Sequence, residues 1–188
     1  MERQGTRERM LIGAVEVMRE RGAAGVTVDA VLERSGSPRG SVYYHFPQGR
    51  QQIVAEALDY AGTTINGVIE SAVKRGSIAA IDTFVRWWTD LLETSDFAAG
   101  CPVAGAAVGA GPADAELGEA AARWFNAWML GLERVIVNEG VSRARAKRLA
   151  TLTLSALEGA VMLSKSTRST TPLKHTATEL KALLKTLT

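Results

Sequence analysis

Apolar residues recur every three to four positions along most of this chain. From Thr6 to Arg21, Leu11, Ala14, Val15 and Met18 mark one helical face, and Gly22 stops it. From Gln48 to Lys74, Ile53, Ala57, Tyr60 and Ala61 form a stripe that Ile65, Val68, Ile69 and Ala72 continue. Gly62 and Gly67 each cost roughly 1 kcal/mol relative to alanine in a helix, so they mark either a bend or close packing. Phe84, Trp87, Trp88 and Leu91 give the next helix, Ile78 to Thr94, its apolar face. Ser95 to Gly100 reads as a loop, and Cys101 to Val108 as a short helix or turn of small residues. Gly109-Ala110-Gly111-Pro112 is a breaker; no Lys-Ser/Thr comes after it, so it is not a phosphate loop.

The second half is also helical. Ala113 to Glu139 is apolar on most sides from Trp124 to Val137, which predicts burial on more than one face. Gly140 ends it, and Ser142 is placed to cap the next helix, Ser142 to Lys165. That helix carries two stripes: Leu149, Leu152, Ala156 and Leu163, then Leu154, Leu157 and Val161. Thr171-Pro172 starts a last helix in which Leu173, Ala177, Leu180, Leu184 and Leu187 keep a three-to-four spacing. The predicted fold class is all-α.

Thr27 to Phe46 differs from the rest. Thr27 is a capping residue, Asp29 puts a negative charge in the first turn, and Val28, Val31 and Leu32 face one way. Gly36 is the stop. Ser37-Pro38 starts a second short helix, Pro38 to Tyr44, anchored by Val42 and Phe46. Arg39, Ser41, Tyr44 and His45 remain for its other side. A short helix pinned from behind and offering Arg, Ser and Tyr suits the major groove of DNA.

The run SGSPRGSVYYHF, continued by PQGRQQI, resembles the helix-turn-helix of the TetR family of transcriptional repressors, and the likeness covers Thr6 to Ile53. Leu32 stands where that family usually has a small residue, and Ser37-Pro38 replaces the commoner Val-Ser/Thr. Pro38, Phe46-Pro47-Gln48-Gly49-Arg50 and Gly100-Cys101-Pro102-Val103-Ala104 resemble the LmrA/YxaF-like subgroup. The resemblance implies an N-terminal three-helix head over residues 1–47 and an effector-binding, dimerising body over 48–188.

Residue type and resemblance point to the same DNA contacts. Arg39 can donate twice to guanine, while Gly40 and Ser41 allow close approach. Tyr43 and Tyr44 offer a ring to a thymine methyl or a hydroxyl to phosphate; one belongs to the small core, and Tyr43, beside Val42, is the one expected there. Thr27, Ser37, Pro38, His45 and Arg50 complete the DNA-binding set, with caps, helix starts and side chains suited to phosphate. Arg3 and Arg7 either touch phosphate or are solvated.

Charge changes the picture only locally. The formal net charge is +2, too small for a generic polyanion binder. Residues 1–50 hold eight Lys/Arg against six Asp/Glu, and residues 51–100 hold three against seven, so a weakly basic end precedes an acidic stretch. The chain of 188 residues, 46% hydrophobic and 22% charged, is long enough for a sizeable core. The charged N-terminus does not fit a secretory signal, and no run approaches the ~20 apolar residues of a membrane span. The lone Cys101 excludes an internal disulfide, which fits a cytoplasmic setting.

The body is expected to bind a small molecule. All four tryptophans lie within residues 87–128. Phe84, Trp87, Trp88, Phe97, Trp124, Phe125, Trp128, Met129 and Met162 are candidate walls of an apolar cavity, with Cys101, Asn126 and Glu158 as polar groups. Plain core packing is the alternative for each. Cys101 as an oxidation sensor is a rival regulatory mechanism. Leu149, Leu152, Ala156, Leu163, Leu173, Leu180 and Leu184 are the expected homodimer interface, with burial inside one chain as the alternative. Neither histidine has a partner at metal-ligand spacing, and no catalytic constellation stands out, so neither metal, cofactor nor enzymatic activity is expected. A helical carrier of small molecules without DNA function is the other rival.

Overall fold

A computed structural model of the chain describes residues 5–109 and 115–187. Among these residues there are nine α-helices and no strand: α1 (Thr6–Arg21), α2 (Val28–Ser35), α3 (Val42–His45), α4 (Arg50–Val73), α5 (Ser77–Thr94), α6 (Pro102–Gly109), α7 (Ala115–Asn138), α8 (Arg143–Thr167) and α9 (Thr171–Lys185). Single 3₁₀ turns occupy Ala23–Gly25 and Arg39–Ser41. The expected contact of Arg3 and most of the breaker after Gly109 lie outside the described residues.

The chain forms two compact units. The first combines residues up to 63 with those of 101–122; the second combines 64–100 with 123–188. The helix-turn-helix therefore shares its unit with α6, which packs on α1 and the Ala23–Gly25 turn.

In the first unit, α1 buries Met10, Ala14, Val17 and Met18. It crosses α2 closely at Gly13, where an added Cβ would come within 3.3 Å of the Ser35 nitrogen. The crossing is tied at its edge. Arg34 donates to Glu20 at 2.8 and 2.9 Å and to Glu16 at 3.3 Å, and the bond to Glu20 leads in raising the Arg34 pKa above its ordinary value. Thr27 caps α2 by accepting from the Ala30 N–H at 3.1 Å, as its sequence position predicts. Gly36 takes the left-handed conformation that ends α2. Ser37 does not cap the short helical segment that follows. Pro38 occupies the cap position, the Ser41 hydroxyl donates to the Pro38 carbonyl at 2.6 Å, and Ser37 is buried.

In the second unit, α9 packs on α8 and α5. Leu173, Ala177, Leu180 and Leu184 are buried by that packing. The buried face of α5 runs Ala80, Ile81, Phe84, Trp88 and Leu92, so Trp87 and Leu91 stand at its margin. Ser77 opens α5 without a local cap. Its N–H and its hydroxyl both donate to Glu139, each at 2.6 Å. Lys181 joins α9 to Asp82 of α5 at 2.7 Å. Arg168 donates to the Asp96 carboxylate at 2.6 Å and to its carbonyl at 3.2 Å, with its guanidinium over the Phe97 ring. Asp96, Phe97 and Arg168 all have positive φ, near 51°, 59° and 51°. An added Cβ at Gly67 would meet nothing within 4 Å, so close packing does not account for that glycine.

Candidate nucleic-acid interface

The reader is built from one buried pair and what that pair leaves outside. Val42 and Phe46, four residues apart, are both fully buried. The 3₁₀ turn Arg39–Ser41 runs directly into α3, so Arg39 to His45 forms one short helical segment. With Val42 pinned inward, its neighbours point out: Tyr43 is 65% exposed and Tyr44 is 82% exposed. This corrects the expectation that Tyr43 belongs to the core. The core position one turn from Arg39 is filled by Val42, and the ring of Tyr43 lies near Gly49 instead. Tyr44 meets His45 edge-on at 4.9 Å. Pro38, Arg39 and Gly40 are exposed. Two aromatic rings, one guanidinium and a side-chain-free Gly40 thus share one small outward segment.

The surrounding cations are less free than the sequence suggests. Arg39 is ion-paired with Asp29 of α2, and both side chains are largely exposed. Arg7 pairs with Glu56 and lies over the Phe46 ring. Arg50 donates from Nε to the Val26 carbonyl at 2.7 Å and from Nη2 to the Ala23 carbonyl at 2.9 Å. It braces the turn that delivers Thr27. The Gln48 N–H at the start of α4 donates to the Gln52 side chain at 3.1 Å. Sequence reasoning missed Asp29 as Arg39's partner; the two are ten residues apart across a turn, and no local spacing signals such a pair.

The body disposes of its aromatic residues differently from the cavity expected of them. Trp88 and Trp128 are each 1% exposed, packed edge-on against Trp87 and Phe125 respectively. The apolar slot between α4, α5, α7 and α8 holds only about 30 Å³, one water's worth, and of the expected wall residues it takes Phe84 and Trp87. Met162 points outward, 61% exposed. Trp124, Phe125, Met129 and Glu158 do not line the slot. Phe97 lies beneath Arg168. Cys101 is in the first unit, buried, where its sulfur accepts the Ala104 N–H at 3.4 Å. Burial lowers the Arg19 pKa, and its neighbours Cys101 and Glu16 partly oppose that shift.

The larger space is elsewhere. A groove of about 490 Å³ runs between α4 and α7, over a floor of Ile69, Val73, Ala127, Leu130, Gly131 and Val135. Asn66, Glu70, Lys74, Arg134 and Asn138 rim it. Ile69 borders both groove and slot. None of these positions carries an aromatic side chain, so the clustering of tryptophans could not have pointed there.

Of the expected dimer residues, Leu149, Leu173, Leu180 and Leu184 are buried inside the chain, where α8 and α9 pack together. Leu152 and Leu163 are about half exposed, at 48% and 57%, with Ala156 partly buried between them. The outward apolar face is therefore on α8. No cluster of His, Cys, Asp or Glu able to hold a metal occurs among the described residues, and no described helix is long and apolar enough to cross a membrane.

Residues 11–57 match the family model for bacterial regulatory proteins of the tetR family, and residues 77–179 match that for the C-terminal domain of LmrA/YxaF-like transcriptional regulators. An uncharacterized HTH-type transcriptional regulator of Mycobacterium tuberculosis is 38% identical over 96% of this chain and 95% of that protein. The HTH-type transcriptional regulator LmrA of Bacillus subtilis is 28% identical over 96% and 97%. In fold, the chain is similar to a TetR transcriptional regulator from Legionella pneumophila, with a TM-score of 0.82 at 17% identity over 97% of this chain and 99% of that one. With both family models matched in chain order and a relative aligned along nearly its whole length, the chain belongs to the TetR family of transcriptional regulators, in its LmrA/YxaF-like group.

Proposed function

We propose that this regulator is a ligand-released repressor that binds a palindromic operator as a homodimer. The observation that carries the reading is the segment Arg39 to His45, held by Val42 and Phe46 with both tyrosines in solvent. Arg39 addresses guanine; Tyr43 and Tyr44 address thymine methyls and phosphates; Thr27 and the backbone near the start of α4 address phosphate. One such segment is too short to specify a site alone. Two, about 34–36 Å apart, read both halves of a palindrome. The exposed α8 residues Leu152, Met162 and Leu163 supply an apolar face for the second copy.

The effector in this reading is small and apolar or aromatic. The groove between α4 and α7 lies within the ~300–1,000 Å³ range of ligand sites, whereas the aromatic slot does not. An effector in the groove reaches Phe84 and Trp87 by displacing Ile69, which borders both spaces. Release then requires that the effector favour one state of the α4 helix over another, because equal affinity for both shifts nothing.

The test is fluorescence anisotropy with labelled duplexes from around the protein's own gene, titrated across salt against scrambled DNA. The expected result is a preference of ~10³-fold or more that weakens steeply with salt. Equal weak binding to every natural duplex would remove the operator reading. An effector that binds without changing operator affinity would remove release.

A further inference from the structure

We infer that Asp29 is a specificity-determining residue of the DNA reader, one that reserves Arg39 for a base edge and keeps it off phosphate. The inference rests on the reading of Arg39 as a base contact. Asp29 belongs to the first turn of α2, and Arg39 to the 3₁₀ turn before α3; an Nη2–Oδ1 ion pair joins them. Both side chains are about three-quarters exposed, at 72% and 75%, so the pair stands where DNA would arrive. Both carriers are fixed. Thr27 caps α2 and Val31 is buried behind it; the Ser41 hydroxyl closes the 3₁₀ turn onto Pro38.

The guanidinium has five N–H donors in a planar fork. Asp29 takes one of them, on Nη2. The rest remain for the O6 and N7 acceptors of guanine, which carry no formal charge and leave the Asp29 pair intact. Phosphate is different. Its anionic oxygens, meeting those same donors, are repelled by the Asp29 carboxylate held on the guanidinium. An exposed ion pair adds little to stability, but this penalty falls on one binding mode and not on the other. Discrimination comes from that difference.

The experiment uses a duplex enriched from a randomised pool by the wild-type protein, and a scrambled duplex of equal composition. Anisotropy titrations compare wild type, Asp29→Asn, Asp29→Glu, Arg39→Ala and the double variant Asp29→Asn/Arg39→Ala. Asp29→Asn is expected to raise affinity for scrambled DNA about three- to tenfold and for the enriched duplex less than about twofold, consistent with the worth of an exposed pair acting in two heads. The specificity ratio then falls. Asp29→Glu keeps the ratio near that of wild type. In the Arg39→Ala background, Asp29→Asn shifts both duplexes by the same factor.

An equal gain on both duplexes with Arg39 present would make Asp29 a plain repulsive charge and overturn the inference. A ratio that falls as much without Arg39 as with it would do the same. Failure of the underlying reading is recognised separately, by a pool that yields no enriched duplex or by Arg39→Ala leaving the ratio unchanged.

Discussion

The head shows two of its aromatic residues and the body hides two of its own. Tyr43 and Tyr44 stand in solvent above a fully buried Val42 and Phe46, while Trp88 and Trp128 are almost wholly enclosed. Both arrangements start from aromatic residues on short helical spacings. The difference lies in what surrounds them. The reader segment has seven residues, anchored inward by Val42 and by Phe46 just after it, so its remaining side chains have no interior to enter. The body has helices on several sides, and hydrophobic burial draws large rings into whatever space they enclose. An aromatic cluster in a sequence is therefore ambiguous until the number of neighbouring elements is known.

That contrast can be broken, starting with the largest effect. Trp128→Ala is expected to cost ~3–5 kcal/mol of stability in urea unfolding, as a filled core position does. An unchanged midpoint together with altered small-molecule binding would make Trp128 a pocket wall instead. Next in size, Arg39→Ala and Tyr44→Ala should each weaken operator binding by ~1–3 kcal/mol while leaving the thermal midpoint within about a degree of wild type. A large loss of stability from Tyr44→Ala would put that ring back in the core. Thr27→Ala mixes the two classes. It should cost ~1 kcal/mol of stability through the lost cap and weaken binding to every duplex alike, measurable by parallel melting and anisotropy.

The smallest effect concerns the Asp96–Arg168 pair of the second unit. The hydrogen bond from Arg168, aided by its charge, lowers the Asp96 pKa below its ordinary value. A carboxyl depressed in the folded state contributes stability above its unfolded pKa, and that contribution is lost as pH falls through the folded value. Arg168→Gln should therefore lower the thermal midpoint slightly near neutrality and reduce its further drop on acidification below about pH 4, so that the two proteins converge at low pH. Identical acid profiles for the two proteins would show the pair to be without effect on folding.

The helices are legible in the sequence because their stripes are long. Most predicted boundaries fall within two residues of those observed, and the caps at Thr27, Gly22 and Gly36 follow from local chemistry alone. The reader is legible in part, since Val42 and Phe46, four apart, mark an inward position without fixing where its margin lies. Three features are not. The direction of Tyr43 is hidden because a four-residue helix has no repeat from which to set its phase. The inward face of α9 looks like an interface, because spacing says that Leu173, Leu180 and Leu184 are covered but not by which chain. The groove between α4 and α7 is invisible because space between helices depends on how they cross, and its apolar floor is Ile, Val, Ala and Leu spread over two segments about sixty residues apart.

The start of α5 has a consequence for the order in which the chain is built. Its first N–H and the Ser77 hydroxyl are satisfied by Glu139, 62 residues further on. During synthesis at ~5–20 residues per second, several seconds separate the arrival of the helix from the arrival of its cap. For that interval the Ser77 N–H and hydroxyl have only water to donate to, because the carboxylate that will accept them has not yet been made. Protection of the Ser77 amide from hydrogen exchange marks the moment at which the middle of the chain has found the part made well after it.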